Sequence, residues 1–225
     1  MPIAAPSLAR PADDARSMRF VRDHTTLTAV ALVPELSLHL ARQPFEIFQA
    51  ADDIKAERPY WAFAWSGGQG LARWLLDNPS AVAGKRVLDV GAGSGLAAIA
   101  ALKAGARSGE ANDTDVHAAA AARLNATTND VALTTTTTDL LGADPHCDLL
   151  IIGDLFYEPE LAARVSTFLE RAARRGIPIL FGDRSTAQRP PLTFELLAEY
   201  EAPLTPDLQI DYIETARIWR LAGAP

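Results

Sequence analysis

The spacing of apolar positions changes along this chain, and each change marks an element. Glu35-Leu36-Ser37-Leu38-His39-Leu40 alternates with period two, which predicts a strand. A second short run at Phe45–Phe48 follows Pro44, so a two-stranded addition is expected ahead of the main domain. Trp61, Phe63 and Trp65 fall on one side of an extended stretch, and Ser66 with Gln69 has the spacing of a capping box. The helix opened there carries Leu71, Trp74 and Leu75 on one side and stops near Asp77-Asn78-Pro79. Five strand-like runs follow, at 86–90, 108–112, 131–138, 147–153 and 177–182, the third including the β-branched run Thr134–Thr138. They alternate with helical patterns over Leu96–Ala104, Val116–Asn125 and Glu160–Arg175. The last of these has Pro159 in its first turn, Leu161, Val165, Phe168 and Leu169 on one face, and Gly176 at its end. Two more runs, near 195–203 and at Tyr212–Leu221, are too close for a helix between them and predict an antiparallel hairpin. The expected fold is α/β: a Rossmann-like, doubly wound, mostly parallel seven-stranded sheet with an antiparallel strand and a small N-terminal extension. Its expected divisions are a loose Pro-, Ala- and Arg-rich tail over 1–18, a β extension over 19–58 and the main domain over 59–225.

Composition narrows the class. With 225 residues, 48% hydrophobic and 22% charged, the chain can fill one core. Its net charge of −7 and lack of a basic stripe disfavour nucleic acid and suit a basic partner or a small molecule. No apolar run approaches the roughly 20 residues of a membrane span. Cys147 is the only cysteine, so no internal disulfide is expected, and the scattered histidines suggest no metal centre.

The chemistry concentrates in Val87-Leu88-Asp89-Val90-Gly91-Ala92-Gly93-Ser94-Gly95. Strand, glycine turn and helix make a nucleotide-binding context, because glycines admit close backbone approach and a helix N-terminus offers free N–H donors. A dinucleotide fingerprint would need its third glycine at Leu96. Here it is Gly95, and Asp89 stands two residues before Gly91. D-x-G-x-G-x-G is the adenosylmethionine corner of class I methyltransferases, with an ordinary ligand-free glycine turn as the alternative. Asp113, 18 residues beyond Gly95 at the tip of the next strand, suits a ribose diol, and Asp115 suits an N-cap. In open α/β sheets ligands lie beyond the carboxyl ends of the strands, at the switch point. This rule places Asp154, Phe156 and Tyr157, just after the fourth strand, beside a methyl acceptor; the plain alternative is a cap and two core aromatics. Asp139 occupies the adenine position or is a turn acid. Trp65 contacts cofactor or is packing.

Several of these segments together resemble a known group: Pro59-Tyr60-Trp61-Ala62, Trp65-x-Gly67-Gly68-Gln69, Val87–Gly95, Ala111-Asn112-Asp113, Leu124-Asn125 and Gly153-Asp154-Leu155-Phe156-Tyr157. The chain is similar to the seven-β-strand protein lysine methyltransferases, and within them to the electron-transfer-flavoprotein β-subunit lysine methyltransferases, from about Leu32 to Trp219. One departure is Gly182-Asp183-Arg184-Ser185, where a Pro-Gly after the aspartate is expected. The resemblance implies S-adenosylmethionine as cofactor, S-adenosylhomocysteine as product and no metal. It implies a lysine of the flavoprotein β subunit as acceptor, with Trp65, Asp89, Gly91, Gly93, Gly95, Asp113, Asp139 and Asp154 around the cofactor. Asp154, Phe156 and Tyr157 would stand at the acceptor. A monomer is expected, cytoplasmic in a bacterium or in the mitochondrial matrix of a eukaryote. The alternatives are a small-molecule or ribosomal-protein N-methyltransferase, or a cofactor-binding module without catalysis.

Overall fold

A computed structural model describes residues 11–184, 192–203 and 213–221, the side chains of residues 11–13 excepted. Its N-terminal part holds helix α1 (Pro11–His24), strands β1 (Thr25–Val30) and β2 (Val33–Ala41), and helix α2 (Pro44–Asp53). The main body follows as α3 (Ser66–Asp77), β3 (Arg86–Val90), α4 (Leu96–Lys103), β4 (Ser108–Asn112), α5 (Val116–Thr128), β5 (Leu133–Thr136) and β6 (Leu149–Gly153). Then come α6 (Pro159–Arg174), β7 (Ile179–Asp183), β8 (Phe194–Pro203) and β9 (Ile213–Leu221).

The sheet runs β5-β4-β3-β6-β7-β9-β8. Strands β3 to β7 are parallel, and β9 enters antiparallel between β7 and β8. The expected sheet and its closing hairpin are therefore present, with Tyr212 of the expected last run outside the described residues. Neighbouring residues of each central strand face opposite ways. Val87, Leu149, Ile151 and Leu180 join a core with Leu71 and Leu75 of α3 and with Leu96 and Ile99 of α4. Leu88, Leu150, Ile152, Ile179 and Phe181 join a second core with Val165, Phe168 and Leu169 of α6. Strands covered on both faces read as continuous apolar runs, as Leu149-Leu150-Ile151-Ile152 does. Phe168 is fully buried, and truncation to Ala costs about 3–5 kcal/mol at such sites. Cys147 packs in the same core, and loss of water pushes its thiol up to about 11, as fits an inert core residue.

The N-terminal region departs from expectation. The stretch read as a tail turns helical at Pro11. Proline is pre-set for a first helical turn, and Arg22 and His24 favour the C-terminal end of the dipole. Val21 is fully buried beside Ala118, Ala121 and Leu124 of α5, and Asp14 pairs with Arg123. Tertiary packing, invisible in the local pattern, holds this helix. The run Phe45–Phe48 is helix α2, not a strand. Pro44 sits at its first turn, and Ile47 and Ala51, four apart, form its buried stripe. The partner of β2 is β1, antiparallel from Thr25↔Ala41 to Ala29↔Ser37. Residues Tyr60–Ala62 form a 3-10 turn, not an extended stretch.

Asn125 of α5 and Asn129, the C-cap of that helix, tie the β1–β2 hairpin to the body. Asn125 accepts from the His39 amide at 2.7 Å and donates to the Ser94 carbonyl at 2.9 Å. One turn later Asn129 accepts from the Ser37 amide and donates to its carbonyl. Helix α3 seats on the tip of β7 through glycines. A Cβ on Gly182 would lie 2.1 Å from the Gly67 carbonyl oxygen, and one on Gly67 would lie 2.5 Å from the Gly182 oxygen. Gly182→Ala is therefore expected to lower stability by about 1–3 kcal/mol. Gly142→Ala, whose added carbon meets nothing within 4 Å, should stay within about 0.5 kcal/mol of wild type. Urea unfolding of the two variants compares them directly, and equal midpoints would refute this seat.

Candidate active site

Strand β3 ends in a turn where Gly91, Gly93 and Gly95 all hold positive φ, at 67°, 51° and 78°. L side chains are strained there, so the turn requires its glycines. Gly95 is also the N-cap of α4, and it has no side chain to satisfy the first amides. Asp89 supplies the missing acceptor: its carboxylate takes the Ala98 amide at 3.1 Å from beneath the turn. The residue is 2% exposed, and burial raises its carboxyl to about 8. Asp89 thus shapes the glycine turn and lines only a small cavity behind it.

A second carboxylate does the same for α3. The N-cap of this helix is Trp65, with no capping side chain, so the expected Ser66–Gln69 capping box is absent. The Asp154 carboxylate instead accepts the Gly68 amide at 2.8 Å. Gln69 is a buried cross-link: it accepts from the Leu32 amide and donates to the Ala64 and Pro203 carbonyls. Ser66 donates to Glu214 of β9. Asp154 has φ 51°, rare for a non-glycine residue and concentrated at functional sites. Its own amide donates to the Gly182 carbonyl at 3.0 Å. The other carboxylate oxygen, Oδ1, is buried with no hydrogen-bond partner among the described residues. Burial raises this carboxyl to about 7, against the pull of the Gly68 amide and of Arg184.

Between the tips of β3, β4 and β6 lies a cleft of about 500 Å³, ample for a nucleoside-sized ligand. Gly91, Gly93, Asp113, Asp139, Asp154, Phe156, Tyr157 and Trp65 all line it. Asp113 stands just past β4, accepts the Gly93 amide at 2.9 Å and the Asp115 amide at 3.0 Å, and is raised chiefly by burial. Asp115 accepts the His117 amide as the N-cap of α5. Asp139 pairs with Arg164 and accepts the Leu141 amide. Gly95 and Asp89 do not line the cleft itself. Sequence reading left out Tyr60 and Arg184, which do. The Tyr60 ring meets those of Trp65 and Tyr157 at 6.1 and 5.6 Å, and the Arg184 guanidinium stands over Trp65. The signal for Tyr60 was present in Pro59-Tyr60-Trp61, but only the fold brings it to the cleft.

Carboxylates stripped of water around one cleft favour a cationic ligand. A sulfonium nucleoside with a primary ammonium fits that demand, with the Asp113 edge for a diol and positive-φ glycines that leave the backbone open.

The Asp89 carboxyl keeps its proton in the folded protein over a range where the unfolded chain has lost it. Its contribution to stability is complete below about pH 4 and declines up to about pH 8. Asp89→Asn removes this decline, so the variant should gain on wild type by on the order of 1 kcal/mol per pH unit across that window. Urea unfolding at pH 5 and pH 8 without cofactor measures it, and a constant gap between the two proteins would overturn the assignment.

The chain is similar to known methyltransferases. The ribosomal protein L11 methyltransferase (PrmA) family model matches residues 74–153, from α3 through β6. The chain is 41% identical over 179 residues to the electron transfer flavoprotein beta subunit lysine methyltransferase of Xenopus laevis, covering 75% of this chain and 70% of that one. The protein of the same name from Rattus norvegicus is 34% identical over 215 residues, covering 92% and 84%. Among solved structures, a Pyrococcus horikoshii protein assigned as an RNA methyltransferase superposes with a TM-score of 0.52 at 16% identity, covering 70% of this chain and 83% of that one. At that identity the likeness speaks for the fold alone. By sequence the chain belongs to the electron transfer flavoprotein β-subunit lysine methyltransferase family, and it is an S-adenosylmethionine-dependent methyltransferase.

Proposed function

We propose that this enzyme methylates lysine side chains of the electron transfer flavoprotein β subunit, with Asp154 at the reacting amine. The activity for which its relatives are named supports the substrate. The observation that carries the site is that Asp154, whose Oδ1 is buried with no partner among the described residues, lines the same cleft as Tyr60, Trp65 and Tyr157. An uncompensated carboxylate oxygen calls for a donor, and a lysine amine threading between Tyr60, Trp65 and Tyr157 provides one.

Bound adenosylmethionine would supply the methyl group and take back the electron pair of the breaking carbon–sulfur bond. The protein's own task is to present a neutral, aligned amine. A lysine with an ordinary pKa near 10.4 is charged at pH 7. Two features work against that charge. Tyr60, Trp65 and Tyr157 exclude water from the amine and so disfavour the ammonium. Asp154 at about 7 is a far better proton match than an ordinary aspartate, narrowing the gap by about 4 kcal/mol at roughly 1.4 per unit. The Asp154 carboxylate would hold the amine and its departing proton, while the Gly68 amide keeps that carboxylate in place. Orientation then supplies most of the acceleration. The Asp113 carboxylate would take the ribose diol, and the glycine turn, whose positive-φ backbone lacks side chains, would lie against the bound cofactor. Asp139, already shared with Arg164, takes the adenine edge. Asp89 acts through the turn it holds.

Asp154→Asn should lower methylation of the purified flavoprotein subunit by about 10²–10⁴-fold and leave the Kd for adenosylhomocysteine within a few-fold. Wild-type kcat/KM should rise with pH through about 7 as Asp154 loses its proton, and the variant should lack that bend. Mass spectrometry of the product and calorimetry with adenosylhomocysteine provide the readouts. Unchanged turnover in the variant would remove Asp154 from the reaction.

A further inference from the structure

Beside the cleft mouth the surface carries apolar side chains left exposed among the described residues. Phe45 is 80% exposed on the first turn of α2, with Tyr157 at 47% and Tyr60 at 36%. Half-buried Phe48 lies one helical turn from Phe45, on the same side of α2. Its ring meets Tyr60 at 6.4 Å, and Tyr60 meets Tyr157 at 5.6 Å. A ridge of rings therefore runs from α2 to the mouth, one end exposed and the other lining the cleft that holds Asp154.

The charged groups that act on Tyr157 at the lower end of this ridge are acidic, while Arg184, over Trp65, and Arg164 line the cleft deeper in. Burial raises the Tyr157 hydroxyl to about 12, and its charged neighbours Glu158, Asp113 and Glu57 push the same way. Glu57 also acts on Asp113. Glu57 and Glu158 are exposed, as are Lys55 and Arg58 on the same connector, but neither cation contributes at Tyr157. An apolar ridge ending in an acidic mouth matches a partner with the converse pattern.

Resting on the lysine-methylation reading, we infer that the ridge Phe45–Phe48–Tyr60–Tyr157, with Glu57 and Glu158, docks a basic segment of the protein substrate around the target lysine. The ridge spans three steps of about 6 Å each. At about 3.3 Å per extended residue, the segment carries its apolar anchor roughly five residues from the lysine. The anchor covers Phe45 while the lysine enters beside Tyr157.

Synthetic peptides separate this surface from the choice of protein substrate. One basic peptide has a single lysine and a Leu five residues away, and its twin has Ser there. With wild-type enzyme the Leu peptide should show a KM about tenfold lower. Phe45→Ser should abolish that ratio, and Glu57→Lys should raise KM about tenfold for both peptides. Phe45→Ser should keep kcat and the Kd for adenosylhomocysteine within twofold, since Phe45 does not line the catalytic cleft. No Leu-over-Ser advantage, or one that survives Phe45→Ser, overturns the docking surface. So does a sedimentation result in which wild type is a dimer and Phe45→Ser a monomer, because a second copy then covers the ridge. If the peptides obey the ridge while the purified flavoprotein subunit stays unmethylated, the docking surface stands and the flavoprotein reading falls.

Discussion

Two helices point their N-termini at the cleft, and neither starts on a residue whose side chain can cap it. Trp65 begins α3 and Gly95 begins α4. Each takes its acceptor from a buried aspartate on a neighbouring strand: Asp154, just past β6, for α3 and Asp89 of β3 for α4. A local Ser or Asp cap would satisfy the same amides from solvent. Capping from the sheet instead locks each helix end to a strand end, so the strand tips, the glycine turn and the helix starts hold a single geometry.

This arrangement has an electrostatic cost that explains the chemistry. Asp89, Asp113 and Asp154 are all pushed toward the protonated form by burial. Their hydrogen bonds come from backbone amides, which orient a carboxylate without neutralising it. Asp154 is furthest from compensation, since one oxygen has no partner among the described residues and its backbone is held left-handed. Stability is lower for it, and affinity for a cation is higher. Sites that bind charged reactants commonly make this exchange.

The N-terminal elements complete the site from outside the central sheet. Asn125 joins the β2 edge to the Ser94 carbonyl inside the glycine turn. Gln69 joins the β1–β2 turn to both α3 and β8. Buried, hydrogen-bonded side-chain amides are rigid cross-links, so the hairpin braces the glycine turn. Tyr60 lines the cleft, and Phe48 of α2 packs against its ring.

The sequence alone determined whatever depends on neighbours within about a turn or a strand. The alternation of apolar runs and helical patterns carried the parallel sheet and its closing hairpin. The D-x-G-x-G-x-G turn, the Asp113 tip and the Asp115 cap were legible because their partners lie within a few residues or at a fixed βα spacing. Proline before Phe45–Phe48 was misread because four apolar-rich residues satisfy strand and helix alike, and the buried stripe Ile47–Ala51 shows only once a core lies beneath it. Helix α1 was missed because its stability comes from α5, about 100 residues away in the chain. Ser66 and Gln69 had capping-box spacing, yet Gln69 finds better partners 37 and 134 residues away. Likewise the Gly68–Asp154 bond spans 86 residues, and no local period encodes it. The tertiary structure alone decided which carboxylate was left with an unsatisfied oxygen, because that depends on which groups a fold brings into one dry place.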